Sequence, residues 1–121
     1  MNTLPQKTSV LLPKPRFHVF DASLDLIRSL RELIEVVQRR DGDLAKQLRK
    51  AAASISLNIS EGNRRRGKDR IHLWRVAAGS AAEVRSCLYI AEAWGYLESS
   101  AIIEPLELLD RILAMLWRLT E

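Results

Sequence analysis

Apolar residues recur along most of the chain at three- and four-residue spacing, and nowhere do they alternate with polar ones in the two-residue rhythm of a strand. A chain patterned in this way buries its apolar side only by packing helix on helix. Leu26, Ile27, Leu30, Leu33, Ile34 and Val37 carry the first stripe; Asp21 is its expected N-cap and Asp41-Gly42 its stop, which predicts a helix over about 22–40. Asp43 is expected to cap a second helix over 44–61, with the stripe Leu44, Leu48, Ala51, Ala52, Ile55 and Ile59. Residues 62–69 read as a tight basic loop, and Asp69 as the cap of a third helix over 70–94. On that helix Leu73, Ala77, Ser80, Ala81, Val84, Leu88 and Ala91 share one face, and Trp94-Gly95-Tyr96-Leu97 reads as a glycine C-cap. The fourth helix covers about 100–119, its regular body starting at Pro105 because proline suits the first helical position. Four amphipathic segments with short connections predict an all-α, antiparallel up-down-up-down four-helix bundle over 17–121. Residues 1–16 hold three of the four prolines and no helical period, and read as a flexible arm.

Two features refine the packing. Ala51-Ala52-Ala53 and the run Ala77-Ala78-Gly79-Ser80-Ala81-Ala82 allow the second and third helices to approach closely, and Gly79, which costs about 1 kcal/mol in a helix interior, is expected at that contact. In the fourth helix the residues Leu106, Leu108, Leu109, Ile112, Leu113, Met115, Leu116, Trp117 and Leu119 span roughly 200°, about twice what one core requires. Val76, Ile90 and Trp94 likewise fall outside the main face of the third. A second apolar surface, and therefore self-association, is the expectation.

Catalytic material is sparse. His18 and His72 are the only histidines, and Asp69-x-x-His72 supplies half of a carboxylate-bridged metal motif whose second copy is missing. The lone Cys87 lies on an apolar face without a nearby histidine, which reads as a buried inert thiol. No phosphate-cradling glycine loop follows a strand. The expectation is a protein that is not an enzyme, with no metal site and no cofactor. A single thiol forms no internal bridge, no apolar run approaches the roughly 18 residues of a membrane span, and the start of the chain lacks the long apolar stretch of a signal peptide. A soluble, cytoplasmic protein without a membrane partner is expected.

Charge is the strongest functional signal, through its location rather than its total. The net charge is only +4, yet residues 46–75 carry nine bases against Glu61 and Asp69, a local +7, while residues 76–121 are net −4. Lys46 and Lys50 on the outer face of the second helix, with Arg64, Arg65, Arg66, Lys68 and Arg70 in and after the loop, form a surface suited to phosphates and to sequence-independent nucleic-acid binding. It lacks interleaved aromatics for stacking bases. A second, polar group, Arg49, Ser54, Asn58, Glu61, Ser80 and Glu83, flanks the apolar stripes and reads as a structural hydrogen-bond network. Folding the two helices back about the 62–69 loop places Glu83 beside Leu48 and Arg49 and Ser80 beside Ala51, which predicts an Arg49–Glu83 ion pair.

At SISLNISEG (54–62), with QLRKAA (47–52) before it and AAGSAAEV (77–84) and AWGYL (93–97) after it, the sequence resembles a known family. These are the bacterial four-helix-bundle proteins encoded in intervening sequences of large-subunit ribosomal RNA genes, relatives of the accessory variability determinant of diversity-generating retroelements. The resemblance covers about residues 17–119 and includes both the Ser-Ile-x-x-Asn-Ile-x-Glu-Gly string and the later Gly-Ser-x-x-Glu. It implies a bundle assembled into a homopentameric ring with no known catalytic activity, whose retroelement relatives bind nucleic acid and partner a reverse transcriptase. Carried onto this chain, the family pattern marks Arg49, Ser54, Asn58, Glu61, Gly62, Gly79, Ser80, Glu83, Gly95 and Tyr96, residues that look architectural. Two readings stand. One is a non-catalytic oligomer that binds RNA or DNA, as an accessory to RNA processing or to a reverse transcriptase. The other is a self-assembling scaffold without nucleic-acid binding, whose basic segment docks on the acidic fourth-helix region of a neighbour.

Overall fold

The computed structural model describes the backbone of residues 16–121 and side chains from His18 onward, so the expected arm over 1–16 lies outside the described residues except for Arg16. Four α-helices follow one another: α1 (Arg16–Arg40), α2 (Gly42–Asn63), α3 (Gly67–Ala93) and α4 (Ile103–Thr120), the last preceded by a 3-10 turn over Ser99–Ile102. There is no strand among the described residues. Each helix packs on two neighbours, α1 on α2 and α4, α3 on α2 and α4, and the α2–α3 contact is the most extensive. The short connections make consecutive helices antiparallel, so the α1–α2 and α3–α4 connections share one end of the bundle and the α2–α3 connection sits at the other.

The core follows the stripes. Leu26, Leu30, Leu48, Ile55, Ile59, Val84, Leu88, Leu109, Ile112 and Leu116 are buried, and Ala51, Ala52, Ala77 and Ala81 form the small-residue contact between α2 and α3. Gly79 does not join it: a methyl group there would meet nothing, because Ala77 and Ala81 turn inward and Gly79, two residues from each, turns outward. No contact among the described residues explains that glycine.

Helix starts differ from the expected positions. α1 begins at Arg16 and runs through Asp21, because fully buried Val19 and Ser23 extend the stripe by more than a turn and leave Asp21 exposed inside the helix. α2 is capped by Asp41 rather than Asp43, its carboxylate accepting from Leu44 N–H at 3.0 Å. α3 begins at Gly67, and Asp69 lies in its first turn, where its charge faces the positive end of the helix dipole. α4 begins two residues before Pro105, which is tolerated because first-turn N–H groups have no helical partner. The α3 terminus matches expectation: Gly95 (φ +81°) reverses the chain, and the N–H groups of Gly95 and Tyr96 bond the carbonyls of Glu92 and Ala91, both at 2.9 Å.

Candidate nucleic-acid interface

The α2–α3 connection consists of Arg64-Arg65-Arg66 alone. Its sharpness depends on Gly62. The Trp74 indole lies against that position so closely that a Cβ would fall 2.5 Å from its Nε1. Trp74 Nε1 donates to the Ile59 carbonyl at 3.1 Å, and Arg70 donates from Nε to the Gly62 carbonyl and from Nη2 to that of Asn63, both at 3.1 Å. Side chains of α3 thus satisfy the terminal carbonyls of α2. Arg70 also stacks over the Trp74 ring at 5.3 Å, so this expected phosphate ligand is committed to closing the corner.

The remaining cations divide. Arg65 bonds Glu61 at 2.8 Å, and Arg64 stands 3.8 Å from the same carboxylate. An exposed pair of this kind is worth ~0–1 kcal/mol, so a phosphate competes for either arginine at little cost. Arg66 and Lys68 are exposed and have no acidic partner among the described residues. Lys46 and Lys50 are exposed as expected but do not join the corner: at 1.5 Å per residue Lys50 stands ~20 Å and Lys46 ~27 Å along α2 from Arg64. They line a shallow groove between α2 and α3 with Asp43, Gln47, Ser54, Ser80 and Glu83, where the two signs of charge are mixed.

The expected six-residue network splits into four parts. Ser54 and Ser80 share a hydrogen bond at 2.7 Å, and Asn58 Nδ2 donates to the Ser54 carbonyl and hydroxyl at 2.9 and 3.1 Å. Glu61 serves the arginine corner instead. The Arg49–Glu83 ion pair is absent: Glu83 accepts from Gln47 at 3.2 Å, and Arg49 donates to Gln38 of α1 at 3.3 Å. Two residues of helix rotate a side chain by ~200°, so Gln47 faces α3 and Arg49 faces α1.

At the other end of the bundle a cluster forms that no single stretch of sequence displays. Tyr96 donates to Asp41 Oδ2 at 3.3 Å, the Arg40 guanidinium lies 5.3 Å from the Tyr96 ring, and the Trp94 ring stacks on Tyr96 at 6.3 Å and 15°. Its signal in the sequence was the coincidence of Arg39-Arg40 and Trp94-x-Tyr96 at two connections that an up-down bundle brings to one end. A buried Ser23–Ser56 hydroxyl pair at 2.8 Å between α1 and α2 also escaped the pattern, since serines at a core face look like ordinary small residues.

His18 and His72 are both exposed, and among the described residues no three of His, Cys, Asp and Glu group as a metal site. No described helix is long and apolar enough to cross a membrane. Cys87 is buried, and desolvation, followed by the nearby Glu83 carboxylate, raises its thiol pKa. Iodoacetamide at mildly alkaline pH is therefore expected to alkylate Cys87 at least ~10-fold more slowly in the native chain than in denaturant, since only the thiolate reacts. Equal rates would place the thiol outside the core.

A family model described as 23S rRNA-intervening sequence protein matches residues 16–118. A comparison with curated proteins returns no match. Among solved structures, a protein of unknown function from the S23 ribosomal protein family of Bacteroides thetaiotaomicron is similar, with a TM-score of 0.75 and 20% identity over 85% of this chain and 98% of that one. At that identity the similarity is one of fold.

Proposed function

The chain belongs to the family of 23S rRNA-intervening sequence proteins, and from that membership and the basic corner we propose a non-catalytic, self-assembling protein that binds nucleic acid through its phosphates. The observation that carries the reading is the three-arginine connection. Gly62, Trp74 and Arg70 hold it in one shape, while Arg64, Arg66 and Lys68 extend into solvent at a single corner. Fixed cations on a rigid turn suit a polyanion better than a folded acidic pocket, because the phosphate backbone presents charge continuously. Exposed histidines and a buried thiol favour binding over catalysis. Self-association is supported by apolar side chains left outside the core, among them Val76 of α3 and Trp117 of α4. A ring of five, as the resemblance implies, would repeat the corner five times. Such a protein would act as an accessory to RNA processing or to a reverse transcriptase.

A mobility shift with single-stranded RNA and duplex DNA at two salt concentrations tests the reading. Replacing Arg64, Arg66 and Lys68 together by Ala is expected to weaken binding at low salt by at least ~10-fold and to flatten the log-log salt slope by about 2–3. Undiminished binding by this variant would remove the corner from the site. No binding by the unmodified chain at low salt would favour the second reading, a scaffold. That alternative rests on the exposed Glu104 and Glu107 of α4, which offer a basic corner on a neighbouring copy a docking strip, while the adjacent Asp110 is paired with Arg85.

A further inference from the structure

We propose that Trp94 is a stacking platform for an unpaired nucleobase, backed by Tyr96 and flanked by Arg39 and Arg40. The proposal rests on the nucleic-acid reading above and adds to it a second site and a preference for single strands.

The platform is built in three steps. Gly95, at φ +81°, is the one residue that lets the chain reverse directly after α3, and the N–H bonds of Gly95 and Tyr96 to the last carbonyls of that helix fix the reversal. The reversal sets the rings at 94 and 96 nearly parallel, 15° apart with centroids at 6.3 Å. Tyr96 is then held by Asp41 at its hydroxyl and by the Arg40 guanidinium 5.3 Å from its ring. The order Arg40, Tyr96, Trp94 is a ladder of flat groups, and its last member is 68% exposed. A further flat π-system fits the free face of Trp94.

Charge indicates which flat ligand. Arg39 and Arg40 are exposed at the end of α1 beside the ladder and suit a flanking phosphate. Of the acids at this end, Asp41 accepts from Tyr96 and from Leu44 N–H and Glu92 accepts from Ser99 at 3.0 Å, while Asp43 and Glu98 are exposed. An aromatic face with adjacent cations is the combination that binds single strands, whose bases are free to stack, whereas a duplex hides the faces of its bases. The site lies at the opposite end of α2 from the arginine corner, roughly 30 Å away. A strand that touched both would run along the bundle.

The test is fluorescence anisotropy with a labelled oligouridine RNA and a duplex of equal length, using the full chain and the variants Trp94→Ala and Trp94→Tyr. Trp94→Ala is expected to weaken oligouridine binding about 10-fold, with Trp94→Tyr losing less, and to leave duplex affinity within about 2-fold and the salt slope unchanged, since no ion contact is removed. The arginine-corner variant is expected to weaken both ligands and to flatten the slope. Oligouridine binding by Trp94→Ala equal to that of the unmodified chain, while the corner variant is impaired, would overturn the platform and leave the corner standing. A loss of binding accompanied by a smaller assembly in light scattering would also overturn it, by making Trp94 a subunit contact. If the unmodified chain binds neither ligand, both readings fall.

Discussion

Trp74→Ala is expected to lower the unfolding free energy by about 3–5 kcal/mol, a large share of the total for a domain of this size. Trp74 is only 3% exposed and fills the space over Gly62 at the α2–α3 corner. Its removal leaves a cavity, deletes the donor to the Ile59 carbonyl, and strips Arg70 of the surface on which it stacks while capping α2. Denaturant unfolding should show a lower midpoint at unchanged slope. Trp74→Phe, which keeps much of the ring and loses the hydrogen bond, should cost less. A loss below about 1 kcal/mol for the alanine variant would mean that the corner is not held by this packing. The same experiment bears on function, since a loosened corner no longer presents Arg64, Arg66 and Lys68 in one geometry.

Trp117→Asp is expected to reduce the mass of the assembly to that of the single chain, read by light scattering, while circular dichroism shows the helices retained. Trp117 is 67% exposed in the isolated bundle, beside a groove formed with Arg75, Ala78, Leu113 and Ala114. Because the side chain contributes little to its own core, aspartate there does little harm to the fold. An indole seated in a partner, in contrast, is the kind of residue whose loss costs an interface about 2 kcal/mol or more, and a buried carboxylate adds a desolvation penalty. An unchanged mass would move the contact to another face, such as that of Val76 and Ile90. An unmodified chain already monomeric at working concentration would remove self-assembly from the proposed function.

The two outcomes bear on different levels of the molecule. Trp74 was the less legible of the two tryptophans in sequence, because it lies one position off the Leu73–Ala77–Ala81 stripe. In the structure Trp74, Ala77 and Ala81 form the buried edge, and Leu73 is only half-buried. Trp74, Ala77, Ala81, Val84, Leu88 and Ala91 follow one another at alternating three- and four-residue steps, so helical spacing admits Trp74 as readily as Leu73, and packing decides between them. Trp117 was legible, since an apolar arc twice the needed width must leave something outside, and Trp117, Ile103 and Leu119 are what α4 leaves exposed.

The candidate site was legible in part for the same reason. Three consecutive arginines between two helices are visible in any reading, and they do occupy the connection. Their separation from Lys46 and Lys50 follows from helical rise, whereas the diversion of Arg70 to the α2 carbonyls depends on where the corner closes. The Arg49–Glu83 pairing failed because a hairpin of helices constrains which residues lie level with each other but not how far each helix is turned about its own axis.

By itself, then, the sequence determined the helical class, the number of helices, most of the core and the basic connection. All of these depend on residues a few positions apart, for which helical periodicity and turn chemistry act locally. Tertiary structure alone decided the rotation of each helix, and with it which polar groups meet across α2 and α3. It also decided which connections share an end of the bundle. Asp41 and Tyr96 lie 55 residues apart, and the ladder of Arg40, Tyr96 and Trp94 exists only because packing of four apolar stripes into one core brings those two connections together.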